Sequence, residues 1–193
     1  MRIAVYSGSF NPLHIGHLAI IRHLIETAGY DRVYLIVSPK NPLKDGISAA
    51  SGPERYEAAV AAVKRHFSNP DQTAGPSKVY VDDIELKMSE PHYTVRTLDA
   101  LKIREPENSF TLTIGADNLS GFRRWRDYER ILKEYGVAVF PRIGFDIESI
   151  KSDLLSENPA YNITPLNAEM VDISSTTIRE AIQSGQDMSN WLM

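Results

Sequence analysis

Short continuous apolar runs alternate along the chain with longer stretches whose apolar residues recur at helical spacing. Residues 3–6 form the first run, and Ser7, Gly8, Asn11 and Pro12 break it. Over residues 16–28, Leu18, Ile21, Leu24 and Ile25 mark one helical face, and Gly29 reads as the stop. Residues 33–37 are a second apolar run, ended by Ser38 and Pro39. Strand, helix and strand in that order predict a βαβ unit with a parallel pair. Helical patterns then cover residues 54–67, with Pro53 in the first turn, and residues 93–104, 128–135, 147–155 and 176–183. Strand patterns cover residues 78–81, 110–114, 136–140 and 161–164. Runs that are apolar throughout suit strands buried on both faces. The expected fold is therefore α/β, a doubly wound parallel sheet with flanking helices and a small helical C-terminal part. Ligands of such sheets bind beyond the carboxyl ends of the strands, so the informative residues should directly follow strands.

A length of 193 residues is enough for one domain with a good core and too short for two comfortable ones. We expect a single domain over residues 1–193, with a C-terminal subregion from about residue 142. No internal repeat or low-complexity segment interrupts it. The net charge of -4 leaves no generally basic surface, which argues against nucleic-acid binding. Any anion must be held by a few local groups. The chain has no cysteine, which excludes disulfides, thiolate nucleophiles and cysteine-bound metals, and fits a reducing cytoplasm. The first residues break into Gly and Pro too soon for a signal peptide, and no uncharged apolar stretch reaches membrane-spanning length.

The first strand runs into Ser7-Gly8-Ser9-Phe10-Asn11-Pro12-Leu13-His14-Ile15-Gly16-His17. Gly8 lets the backbone approach a ligand closely. His14 and His17 stand three positions apart around Gly16, and a helix starting there puts both imidazoles on its N-terminal face. The unpaired N–H groups and the positive end of the helix dipole point the same way, which suits phosphate. Two of the five histidines fall in these four positions. The chain carries neither G-x-G-x-x-G nor G-x-x-x-x-G-K-[ST], which argues against dinucleotide-binding oxidoreductases and P-loop NTPases.

This segment resembles the H-x-G-H signature of the nucleotidyltransferase superfamily, which has a Rossmann-like core. The wider pattern, G-[ST]-F-[DN]-P-x-H-x-G-H, is similar to that of the bacterial nicotinate mononucleotide adenylyltransferases. Ser7 stands where that family usually has Gly, and Asn11 where Asp is common; both are turn formers. Further segments keep the family's order. Pro39 to Lys44 resembles a P-x-x-P-[H]-K loop in which the Lys reaches phosphate, with Leu43 replacing the His. Tyr93 and Thr94 resemble the Y-T-x-x-T-L segment at the nicotinate end; read alone, Thr94 is a helix cap or a donor to a carboxylate. Gly115, Asp117 and Trp125 resemble a G-x-D…W pattern that binds the mononucleotide, with Arg126 where Tyr is frequent. A carboxylate there suits ribose hydroxyls and an indole suits a pyridine ring, although Trp125 alone reads as a packing residue. Arg142 follows the fifth strand, as an Arg does in the family. Ser174-Ser175-Thr176-Thr177-Ile178-Arg179 matches an I-S-S-T-x-I-R segment closely, with capping hydroxyls and a multidonor cation.

The resemblance implies transfer of the AMP part of ATP to nicotinate mononucleotide, giving nicotinate adenine dinucleotide and pyrophosphate on the way to NAD. It implies catalytic roles for His14, His17, Lys44 and Arg179. It implies ATP contacts from Gly8, Ser9, Phe10, His14, Gly16, His17, Ser174, Ser175, Thr176, Ile178 and Arg179. Acceptor contacts fall to Ser9, Lys44, Tyr93, Thr94, Gly115, Asp117, Trp125, Arg126 and Arg142. Magnesium is expected to arrive on the ATP phosphates, without dedicated protein ligands. ATP and nicotinate mononucleotide are the expected partners, with no nucleic acid and no membrane. A homo-oligomer is compatible with the sequence, since Trp191 and Leu192 can dock on the core or on another subunit. Nicotinamide mononucleotide, phosphopantetheine as acceptor, and a regulatory module that binds nucleotide without turnover are the competing readings.

Overall fold

The apolar runs become six parallel strands in the order β3-β2-β1-β4-β5-β6. The computed structural model describes residues 1–39, 50–67, 77–169 and 173–193. The strands are β1 (Arg2–Gly8), β2 (Arg32–Val37), β3 (Val79–Asp82), β4 (Ser109–Gly115), β5 (Val137–Phe140) and β6 (Ile163–Pro165). The helices are α1 (Ile15–Glu26), α2 (Gly52–Phe67), α3 (Ile84–Lys87), α4 (Thr94–Arg104), α5 (Ala116–Ser120), α6 (Tyr128–Arg130), α7 (Ile147–Glu157) and α8 (Ser175–Gln183). All the elements expected from the sequence are present, with ends moved by a few residues. β1 runs on to Gly8 because its ladder continues, pairing Ser7 with Ile36 and Gly8 with Val37. The helix expected over residues 128–135 splits into α6 and a π-helical turn, Ile131–Tyr135. α3 and α5 were not expected: with 4 and 5 residues they are too short to show a helical period.

Successive strand residues face opposite sides of the sheet, and both sides are covered. Ala4 and Tyr6 of β1 join one apolar cluster with Ile21 and Leu24 of α1, and Ala59 and Val63 of α2. Ile3 and Val5 join the other, with Leu98 and Leu101 of α4, Leu112 and Ile114 of β4, and Leu154 of α7. This double burial explains why the strands read as continuous apolar runs. Among the described residues no helix is long and apolar enough to cross a membrane.

Residues 189–193 return to the first loop. After a 3₁₀ turn, Ser189–Trp191, Leu192 forms an antiparallel bridge with His14. The Met193 N–H donates to the Leu13 carbonyl at 3.2 Å. The Met193 side chain is 5% exposed and belongs to the cluster under α1. The residue that reaches the core is Met193, whereas Trp191 and Leu192, which the sequence offered for docking, are 38% and 37% exposed. We expect Met193→Ala to cost about 2–3 kcal/mol in urea unfolding, the cost of a large-to-small change in a packed core. An unchanged midpoint would show that this segment contributes nothing to the fold.

Candidate active site

β1 is hydrogen-bonded to β2 on one side and β4 on the other, and the sheet order reverses between β1 and β4. At the carboxyl edge there the chain opens a pocket of about 1070 Å³. Its wall combines the β1–α1 turn, the ends of β4 and β5, and the starts of α4 and α8.

The β1–α1 turn is held under tension. Phe10 has φ 45°, a left-handed conformation unusual for a bulky residue. His14 is the N-cap of α1, and its backbone N–H donates to His17 Nδ1 at 3.2 Å. The two imidazoles lie 3.8 Å apart between ring centres. Gly16 makes room for them, since a Cβ there would come within 3.0 Å of His14 Nδ1. Burial, and then the charge of Arg142, hold the His14 pKa down to about 4. His17 is held well below its ordinary value by burial, by His14 and by Arg142. Both rings are neutral at pH 7. Because His17 Nδ1 accepts, its proton sits on Nε2, which is left as a donor.

Across the sheet, Asp117 stands on the first turn of α5, with its carboxylate folded over Gly115 so that no Cβ fits there. Arg142 Nε lies 3.8 Å from Asp117 Oδ1, and its guanidinium sits over the Phe140 ring. Trp125 lines the pocket and also packs on Phe122, with ring centres 4.8 Å apart. Arg126 lines the rim and pairs with Asp127 at 3.5 Å. Tyr93 is the N-cap of α4 and Thr94 its first residue, so Thr94 is not the cap; the α4 N-terminus has no side-chain cap.

At α8, Ser174 caps the helix, accepting from the Thr177 N–H at 3.1 Å. Ser175 Oγ donates to the Pro12 carbonyl at 2.9 Å. Arg179 donates to the Asn11 carbonyl at 2.7 Å and to Thr176 Oγ1 at 3.0 Å. Its position near the N-terminus of a helix therefore has a structural reason, and two of its five N–H donors are already engaged. The pocket brings together Gly8, Ser9, Phe10, His14, Gly16, His17, Ser174, Ser175, Thr176 and Arg179 with Tyr93, Thr94, Gly115, Asp117, Trp125, Arg126 and Arg142. Ile178, expected at ATP, is fully buried and does not line it. Its apolar side chain anchors α8 to the core. Lys44, and Leu43 beside it, lie outside the described residues.

Two buried charged residues of the pocket escaped the sequence reading. Arg55 of α2 is 3% exposed, and Glu85 of α3 is 2% exposed. Glu85 accepts from the hydroxyls of Ser38 and Thr97, and Ser38 Oγ lies 3.2 Å from Ser7 Oγ. A carboxylate thus ties β1 and the end of β2 to α4. Arg55 carried a signal: it shares an inward stripe with Ala59, Ala62 and Val63, where a charge is out of place. Glu85 sits in a helix too short to advertise a face.

Among the described residues, the buried side-chain polar atoms without a hydrogen-bond partner are His14 Nδ1, His92 Nδ1, Thr113 Oγ1 and Arg142 Nε. All four residues line this pocket. Native proteins rarely leave such atoms unpaired, and those that do point to a ligand site. The cytidylyltransferase-like family model matches residues 5–181. A probable nicotinate-nucleotide adenylyltransferase of Flavobacterium johnsoniae is 35% identical over 188 residues, 97% of this chain and 90% of the relative. One of Bacteroides fragilis is 37% identical over 191 residues, 99% of this chain and 87% of the relative. Among solved structures, nicotinic acid mononucleotide adenylyltransferase of Plasmodium falciparum complexed with NaAD aligns with a TM-score of 0.74 at 20% identity, covering 98% of this chain and 87% of that one. At that identity the likeness is one of fold.

The neutral histidines have a consequence for stability. An unfolded chain titrates its histidines near pH 6.5, whereas His14 titrates near 4 and His17 well below its ordinary value. Across that interval the unfolded state binds more protons, so stability is full above about pH 6.5 and is lost as pH falls towards about 4. Urea midpoints should fall over this window, and His14→Asn should flatten the fall. An unchanged slope in the variant would contradict a neutral, buried His14.

Proposed function

The chain belongs to the cytidylyltransferase-like family, and on that premise we propose that its pocket transfers the AMP part of ATP to nicotinate mononucleotide. The products are nicotinate adenine dinucleotide and pyrophosphate, a step toward NAD. The observation that carries this reading is the gathering of the described side chains' buried polar atoms that lack a hydrogen-bond partner into one pocket at the sheet's reversal. The relatives named above, nicotinate-nucleotide adenylyltransferases matched over nearly their whole length, support the choice of substrates.

The acceptor's phosphate is already ionised at neutral pH, so the reaction needs no strong base and no enzyme nucleophile. One phosphate oxygen bonds to the α-phosphorus of ATP in line. The bond from that phosphorus to the bridging oxygen breaks, and pyrophosphate leaves with the electron pair. Catalysis is positioning and charge stabilisation. In this reading, His17 Nε2–H and the imidazole of His14 donate to the phosphates, together with the N-terminus of α1. Arg179 reaches the same anion with its remaining donors, and Lys44 adds a charge. Ser9, in the turn after β1, contacts both nucleotides. Asp117 takes ribose hydroxyls and Trp125 offers its open face to the pyridine ring. The uncapped start of α4, with Tyr93 and Thr94, meets the carboxylate, and Arg126 and Arg142 add positive charge nearby. Magnesium enters as part of the ATP substrate, held chiefly by phosphate oxygens and water.

The test is pyrophosphate release with ATP, magnesium and nicotinate mononucleotide, nicotinamide mononucleotide or phosphopantetheine in parallel. A strong preference for the first is expected; preference for another overturns the acceptor, and no release with any overturns the reaction. His17→Ala should lower kcat by roughly 10²–10³, as loss of a donor to transition-state charge does. A folded variant with near-wild-type turnover would remove His17 from the mechanism.

A further inference from the structure

The β1–α1 turn must hold Phe10 in a costly conformation, so something must hold its peptides on both sides. Arg179 holds the far side through the Asn11 carbonyl. The near side is held by Arg55. Its Nη1 donates to the Ser9 carbonyl at 2.6 Å and to the Ser38 carbonyl at 2.8 Å. Its Nη2 donates to the Pro39 carbonyl at 2.9 Å, and its Nε to the Ala50 carbonyl at 3.3 Å. One guanidinium therefore joins the turn after β1, the exit from β2 and the approach to α2. Every one of these acceptors is a backbone carbonyl. Among the described residues Arg55 makes no ion pair, so this buried cation is balanced by peptide dipoles alone.

The geometry points to Arg55 as a positioning residue for the ATP side of the site. The peptide between Ser9 and Phe10 is planar and trans, so fixing the Ser9 carbonyl also fixes the opposite direction of the Phe10 N–H. The same side chain fixes where the chain leaves β2, at Ser38 and Pro39. Both segments line the pocket. The planar fork of Arg reaches several carbonyls at once, which the single ammonium of Lys does not reproduce. The acceptor-side groups, Asp117 and Trp125, sit beyond β4 and share no hydrogen bond with Arg55.

This inference rests on the adenylyl-transfer reading, and the experiment separates the two. Steady-state kinetics of Arg55→Met and Arg55→Lys should show kcat/KM for ATP reduced roughly 10- to 100-fold, the scale of a misplaced reacting group. KM for nicotinate mononucleotide should rise less than KM for ATP, because among the described acceptor-side residues Arg55 holds only Ser9, while Asp117 and Trp125 are untouched. Arg55→Lys should be the milder of the two. Turnover per folded molecule equal to wild type, with only the urea midpoint lowered, would reduce Arg55 to a fold-stabilising residue. An equal rise in both KM values would also overturn the inference. If Arg55→Met does not fold, Arg55→Lys alone decides on the same criteria. If the wild-type chain binds ATP in calorimetry without turning over, the transfer reading fails. The inference then depends on whether Arg55→Lys weakens ATP binding at least severalfold.

Discussion

A parallel strand can reach its neighbour only by crossing over the sheet, and β1 has a parallel neighbour on each side. The chain therefore builds outward from β1 through β2 to β3, and separately from β4 through β5 to β6. The connections that follow β1 and β4 part company at the carboxyl edge and leave a cleft. The candidate site residues that the pocket gathers lie around that parting. One half supplies the turn with His14 and His17, the other supplies Asp117 and Trp125, and α8 closes over the first half from far along the chain. The pocket is thus a consequence of strand order, and the side chains determine what it holds.

The electrostatics of the cleft use restraint. A chain of net charge -4 that handles highly charged nucleotides has to attract phosphate locally without a basic surface. In the proposed reading it relies on hydrogen-bond donors as well as full charges. His14 and His17 stay neutral because they are buried, close to Arg142 and close to each other. A neutral imidazole still donates one hydrogen bond, and it carries no charge that must be neutralised when the site is empty. Arg142 acts at a distance on both rings while standing beside Asp117, so the two halves of the cleft sense each other electrostatically.

Much of this was legible in the chain. Strands buried on both faces announce themselves as unbroken apolar runs, and a His-x-Gly-His turn after the first of them marks the carboxyl edge. Gly16 was readable as a companion of the histidines, and its reason is the imidazole folded over it. Residues whose role depends on a partner distant in sequence were not legible. Arg179 looks like a phosphate ligand, yet part of its fork is engaged by Asn11. Ile178 sits within a motif but points into the core. Glu85 lies on a single helical turn, and the hydroxyls that make it meaningful come from Ser38, just past β2, and from α4. Periodicity reports the face a residue occupies; it does not report which carbonyl or hydroxyl waits on the other side.

The contacts that brace the first turn span nearly the whole chain. Arg179 and Asn11 are 168 positions apart, and Ser175 and Pro12 are 163 apart. Met193 is seated against Leu13. During synthesis, which proceeds from the N-terminus, the strand and the turn bearing the histidines emerge before α8 and wait for it. Their supports on α8 leave the ribosome long afterwards. The sheet can therefore assemble before the turn has its braces, and the cleft is completed only once α8 has been made.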